Sequence, residues 1–344
     1  MELTIVAGTA VASDGFLPDP DHARWLSLQL HQWLAESLGY LFEVCALHTR
    51  LDKASFDARI AEVLSEPRIR PEVFLLHHEI VAAAQMGEAA EISGAFAAFA
   101  AFAAAEIAAP AGLRQRGWQD ESFSSPEALR YRSLFEDEGD TPLRLTAPMP
   151  AVFADARSCL NAALGVLQQA VPALHDEINV LLTEMVFVEG NSGGGTIFGG
   201  VTCFHAQGAI ALNVAEHLTM PGALAGLVHE AAHTLLFAAS AGAPLVENDP
   251  AERIPSPLRH DPRPMNRTFH ATFVSARMAY AIDQVLAHGA VRDEDRADLI
   301  AIGAAARSAF DAGYGVLIAD GRPTPLGQSL LQAAAHQMRA AAIA

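Results

Sequence analysis

The sequence predicts an α+β protein that is mostly helical, and three observations predict it. Apolar residues recur at helical spacing over most of the first 110 residues and again from about 265 onward. Strand-like runs are confined to the stretch from about 178 to 213. An apolar helix carrying His229, Glu230 and His233 follows that stretch directly. The expected architecture is a helical N-terminal region (residues 1–150) and a metal-binding catalytic region (151–344). The second part should hold a short antiparallel sheet and an HExxH helix packed against a second ligand-bearing helix.

Along the chain, HARWLSLQLHQWLAESLGYLF places Trp25, Leu28, Leu30, Trp33, Leu34 and Leu38 at helical spacing. EVFLLHHEIVAAAQMGEAAEISGAFAAFAAFAAAEI continues that period, and its Phe96, Phe99, Phe102 stripe reads as core before it reads as a pocket lining. Ile92–Ala105 is the most membrane-like run, but Glu91 and Glu106 bound it well short of the ~18 residues a span needs. A buried helix is expected there. From 110 to 150, Pro110, Gly112, Gly117 and the Pro148/Pro150 pair mark loops with room for one short helix, the candidate boundary between the two regions. A helix over 152–170 stops near Pro172. INVLLTEMVFVEG then reads as a strand, NSGGG as a turn, and TIFGGVTCF and GAIALN as two further short strands. The glycines at 193–195 and 199–200 do not fit GxGxxG, so a hairpin is preferred to a dinucleotide loop. A helix starts near Pro221, a residue suited to a first helical turn. Three more helices are expected at about 265–289, 293–313 and 326–343.

Composition excludes several functions. Twenty-two Lys and Arg stand against 40 Asp and Glu, a net charge of −18, which repels nucleic acid. Lys53 is the only lysine, so Schiff-base chemistry and a P-loop are excluded. Cys45, Cys159 and Cys203 form no CxxC, which fits a reducing compartment. The first residues lack a basic segment followed by an apolar one. A cytoplasmic protein that binds neither nucleic acid nor membrane is expected.

The sharpest motif is His229-Glu230-Ala231-Ala232-His233. Residues four apart share a helix face, so both imidazoles can meet one metal ion. Leu227, Val228, Leu235, Leu236 and Phe237 make the helix apolar, and an unpaired carboxylate inside costs several kcal/mol. A third ligand must come from elsewhere. Leu236 and Ala239 stand where the metzincin extension needs Gly and His, and Glu247 and Glu252 sit in polar loop. His260 lies in loop too. His270 opens the amphipathic helix RTFHATFVSARMAYAIDQVL, which can deliver it inward. Arg259, Arg263 and Arg267 stand nearby, either as surface partners of acids or as a fork for a carboxylate. His205, ahead of the site helix, is a further candidate pocket contact, and His77-His78 should divide between surface and interior.

LVHEAAH followed by RHDPRPMNRTFHATFVSARMAY resembles the bacterial HExxH-motif family associated with peptide modification. Some members are iron(II)- and 2-oxoglutarate-dependent peptide β-hydroxylases acting on ribosomally made precursors. The resemblance covers about 50 residues well and none of residues 1–150. It implies His229, His233 and His270 as ligands of Fe(II), with 2-oxoglutarate and O2 as co-substrates and a peptide or related natural product as substrate. It implies Arg263 as the partner of the co-substrate's distal carboxylate, with Arg259 as the second choice. Where the family often has His-Gly, this protein has His270-Ala271, which alters how closely the backbone can approach a neighbour. Glu230 remains a rival ligand or a partner held behind the ligands, and its position ~100° around the helix from His229 makes coordination beside both histidines awkward.

Two other readings compete. In a zinc metallopeptidase, Zn2+ would activate a water and Glu230 would act as general base. In a metal-free helical binding protein, His229 and His233 would be satisfied core residues, and two histidines beside a buried glutamate would need three hydrogen-bond partners. The N-terminal region has two roles open to it, leader-peptide recognition and a homodimer interface.

Overall fold

The computed structural model describes residues 15–49, 51–102, 107–118, 125–137, 143–192, 198–256, 262–289 and 291–341. The protein is mostly helical with a small mixed sheet. The described helices are α1 (Pro20–Val44), α2 (Lys53–Ser65), α3 (Glu72–Met86), α4 (Ala89–Ala101), α5 (Ser125–Asp137) and α6 (Pro150–Ala170). They continue with α7 (Pro172–Leu181), α8 (Met220–Ser240), α9 (Met265–His288), α10 (Asp293–Asp320) and α11 (Pro325–Ala341). The strands are β1 (Arg114–Gly117), β2 (Leu143–Thr146), β3 (Glu184–Ser192), β4 (Gly200–Val201) and β5 (Ala209–Asn213).

Local chemistry explains most boundaries. The Asp19 carboxylate accepts from the Asp21 and His22 amides and starts α1, with Pro20 in its first turn. Gly87, at φ 76°, splits the long Ala-rich period into α3 and α4. Pro172 opens α7, which runs through Leu181, so the INVL of the expected strand is helical and β3 begins only at Glu184. The loop region from 110 to 150 contains β1, α5 and β2, more structure than its Pro and Gly residues suggest.

The sheet is a correction to the expected antiparallel one. Its order is β1-β3-β5-β4, with β2 pairing the far end of β3. β1 and β5 both run parallel to β3; β4 and β2 are antiparallel to their partners. The physical reason is burial on both faces. Met185 and Phe187 with Ile210 and Leu212 enter a core formed with α6, α7 and α8. Val186 and Val188 with Ala209 and Ala211 enter a second core with Tyr131 and Phe135 of α5. Strands covered on both faces suit parallel pairing through helical crossovers.

The largest apolar cluster joins residues from α1–α4 with Leu236, Phe269, Phe273, Phe310 and Leu331. Phe96 and Phe99 are buried there and Phe102 packs against it, as expected; Leu28, on the opposite side of α1, is 47% exposed. The helix α8 is long and apolar enough to cross a membrane, yet 61% of its apolar window is buried within the protein. It is the central strut of the fold, with α9 along one side and the sheet along another.

Candidate metal centre

Thr219 caps α8, its hydroxyl accepting the Gly222 amide proton at 3.2 Å, and Pro221 occupies the first turn. The helix ends at Ala241, in the left-handed region at φ 48°, followed by Gly242 at φ 75°. A side chain at 242 would come within 2.6 Å of the Phe204 ring, so this turn needs glycine for conformation and for space. Before α9, Arg263 and Ile254 exchange backbone hydrogen bonds of 2.9 and 3.0 Å, which fixes where that helix begins.

These two helices bring His233 and His270 together. Their Nδ1 atoms are 3.3 Å apart, the ring centroids 5.5 Å and the planes 20° from parallel. That combination places the rings edge to edge with Nδ1 facing Nδ1. Two lone pairs cannot face each other at this distance unattended; a proton or a cation between them makes the contact favourable. His229 lies beside them, its ring centroid 5.0 Å from that of His233. Its Nδ1 is 3.3 Å from the Met278 thioether of α9, which is a weak acceptor and so assigns the proton to Nδ1 and the lone pair to Nε2. Phe237 packs against both His233 and His270.

Burial sets the protonation states. It drives the His233 pKa well below the ordinary value, and the neighbouring His229 and His270 add to the effect. It lowers His270 to about 4, with the positive charge of Arg267 contributing second. Both rings are therefore neutral at pH 7, the form that coordinates a metal. Among the described residues, no group of three or more His, Cys, Asp and Glu stands in a metal-holding arrangement. The chemistry of the donor set nevertheless fits a divalent ion. Two neutral nitrogens are separated as two ligands with bonds of ~2.1 Å to one ion would be, and a third imidazole is adjacent.

Glu230, 4% exposed, points to the other side of α8, toward the sheet. It accepts a short hydrogen bond from the Thr202 hydroxyl, and a side chain at Gly200 would meet its Oε1 at 2.6 Å. The bond favours the ionised form, so the carboxylate is held rather than left bare. One turn earlier on the same face, Gly226 leaves room for the buried His217 ring; a Cβ there would sit 2.4 Å from its Nε2.

The arginines divide. Arg263 is half-buried just before α9, while Arg259, and His260 with it, fall outside the described residues. Arg267 lies three residues before His270 on α9, close enough to act on its pKa. That spacing was visible in the sequence, although the DPRP match drew attention to Arg263. Thr202 and the Met278 contact carried no sequence signal, because a hydroxyl after two glycines and a methionine in an apolar run are ordinary.

The remaining histidines form a separate group. His77 is buried and its Nε2 is 2.8 Å from the Ser37 hydroxyl, while the half-buried His78 stacks on His205 with centroids 4.0 Å apart. His205 thus faces α3 rather than the imidazoles of α8. No family model and no curated protein matches this sequence.

Proposed function

We propose that His229, His233 and His270 hold one divalent metal ion. We further propose that the protein is an iron(II)- and 2-oxoglutarate-dependent oxygenase. It would hydroxylate an aliphatic C–H bond of a peptide residue, in line with the resemblance of residues 227–280. The observation that carries the metal reading is the edge-to-edge approach of the two Nδ1 atoms at 3.3 Å, on neutral rings drawn from two different helices. Bound Fe(II) with its co-substrate would supply the oxidative chemistry that amino-acid side groups lack.

The protein's own residues have definable tasks. Low imidazole pKa values keep protons from competing for the ligand nitrogens at neutral pH. Met278 fixes the turn of the His229 ring, and Phe237 covers the edges of the other two, limiting water. Arg267, on the His270 face of α9, and Arg263, pinned through its backbone to Ile254, offer positive charge for the far carboxylate of a dicarboxylate co-substrate. Arg259 remains the alternative for that role.

A second reading, zinc-dependent hydrolysis, draws on Glu230. An ionised, hydrogen-bonded carboxylate on the site helix is equipped to take a proton from water. Anaerobic loading with Fe(II), followed by 2-oxoglutarate, separates the two. A metal-to-ligand charge-transfer band is expected for the oxygenase. Stoichiometric metal without that band, and peptide cleavage by the zinc form that Glu230→Gln abolishes, would transfer the assignment to hydrolysis.

A further inference from the structure

The edge of the sheet beside Glu230 is bare backbone. β4 is the last strand, paired only with β5 among the described residues, with Gly200 opposite Leu212 and Val201 opposite Ala211. The Asn213 amide donates to the Gly199 carbonyl at 2.9 Å, so residue 199 turns its carbonyl toward β5. In an antiparallel pair this orientation alternates, so the N–H and C=O of Gly200 point away from β5, to the outer edge. Neither has a partner among the described residues. Gly199 is exposed and Gly200 half-exposed, and the space where a Gly199 side group would project is open. Glycine within a strand marks a place where another backbone can come close.

One face of this edge is the site itself. Gly200 and Thr202 lie on the α8 side of the sheet with the Glu230 carboxylate against them, while Val201 enters the core on the opposite side. A donor and an acceptor on one residue, side by side at a strand edge, are complementary to another extended backbone. We infer that β4 is the substrate-docking edge: an extended peptide adds a strand there, paired through Gly200. Because strand residues alternate in direction, it would turn every second one toward Glu230 and the imidazoles of α8. This inference deepens the peptide reading above and rests on α8 as the site.

The test selects random dodecapeptides by phage display on the zinc-loaded full-length protein, with metal content measured separately. Amide exchange is then followed with and without the best peptide. The account expects exchange at Gly200 to slow about tenfold or more while the opposite edge, Arg114–Gly117, is unchanged. N-methylation of the one peptide residue that pairs with Gly200 should weaken binding about tenfold, and methylation of its neighbours should not. A bound peptide that leaves Gly200 exchange unaltered overturns the inference, as does failure to select any peptide. Protection that rises with protein concentration alone would assign the edge to a second copy of the protein and also overturn it. If metal fails to load while Gly200 is protected by peptide, the metal reading falls and the docking edge stands.

Discussion

Two groups of three histidines lie in this protein, and they are built differently. His77, His78 and His205 meet where α3 crosses the turn at 204–206; His229, His233 and His270 meet where α8 crosses α9. In both groups burial depresses the pKa of rings, to about 4 for His77, His205 and His270. The difference is orientation. His78 and His205 lie face to face, 4.0 Å between centroids and 29° between planes. Ring nitrogens hold their lone pairs in the ring plane, so stacked rings direct them side by side rather than toward one another. His233 and His270 meet by their edges, nitrogen facing nitrogen. Clustering and neutrality are shared; only the second group presents donors to a common point.

The largest effect expected from this contrast is on metal affinity. His233→Ala should lower affinity for Zn2+ or Co2+ by at least about 100-fold, read by competition with a chromophoric chelator, whereas His205→Phe should change it less than threefold. Equal losses from both variants would erase the distinction. Next in size, saturating metal should stabilise the wild type by about 2.7 kcal/mol at 100 times Kd, seen as a rise in Tm that His270→Ala abolishes.

Packing on the Glu230 face of α8 gives the third prediction. Gly226→Ala would drive a methyl into the His217 ring and should cost about 1–3 kcal/mol in urea unfolding, with the metal stoichiometry of the folded variant unchanged. A neutral effect would mean that the ring moves aside freely.

The smallest effect is a slope in pH. His31 and His77, both remote from α8, are lowered by burial to about 4 from an ordinary value near 6.5. The unfolded protein therefore takes up protons first as pH falls. The contribution of each ring to stability is intact above about 6.5 and is lost progressively down to about 4, by at most ~1.4 kcal/mol per pH unit. Urea titrations of the apoprotein at pH 7, 6 and 5 should show falling midpoints, and His77→Phe should flatten the fall. An unchanged slope in that variant would remove His77 from the explanation.

Periodicity made the helices legible, since α1, α6, α8, α9 and α11 follow apolar spacing and Pro or Gly punctuation within a few residues. The sheet was less legible. Four-residue strands such as β1, with sequence RQRG, owe their pairing to β3 rather than to their own composition, and Pro172 turned the start of a strand-like run into helix. At the site, i,i+4 spacing was enough to put His229 and His233 on one face, and the amphipathic period of α9 was enough to aim His270 inward. The hold of Thr202 on Glu230 depends on how β4 lies against α8, a long-range contact that no local pattern encodes.

The most direct test is a crystal structure of the Fe(II)-loaded protein, prepared anaerobically and measured at the iron absorption edge. The account predicts one anomalous peak within bonding distance of nitrogens from His229, His233 and His270. A peak ligated by Glu230 or another carboxylate in place of His270, or no ordered peak between α8 and α9, would contradict it.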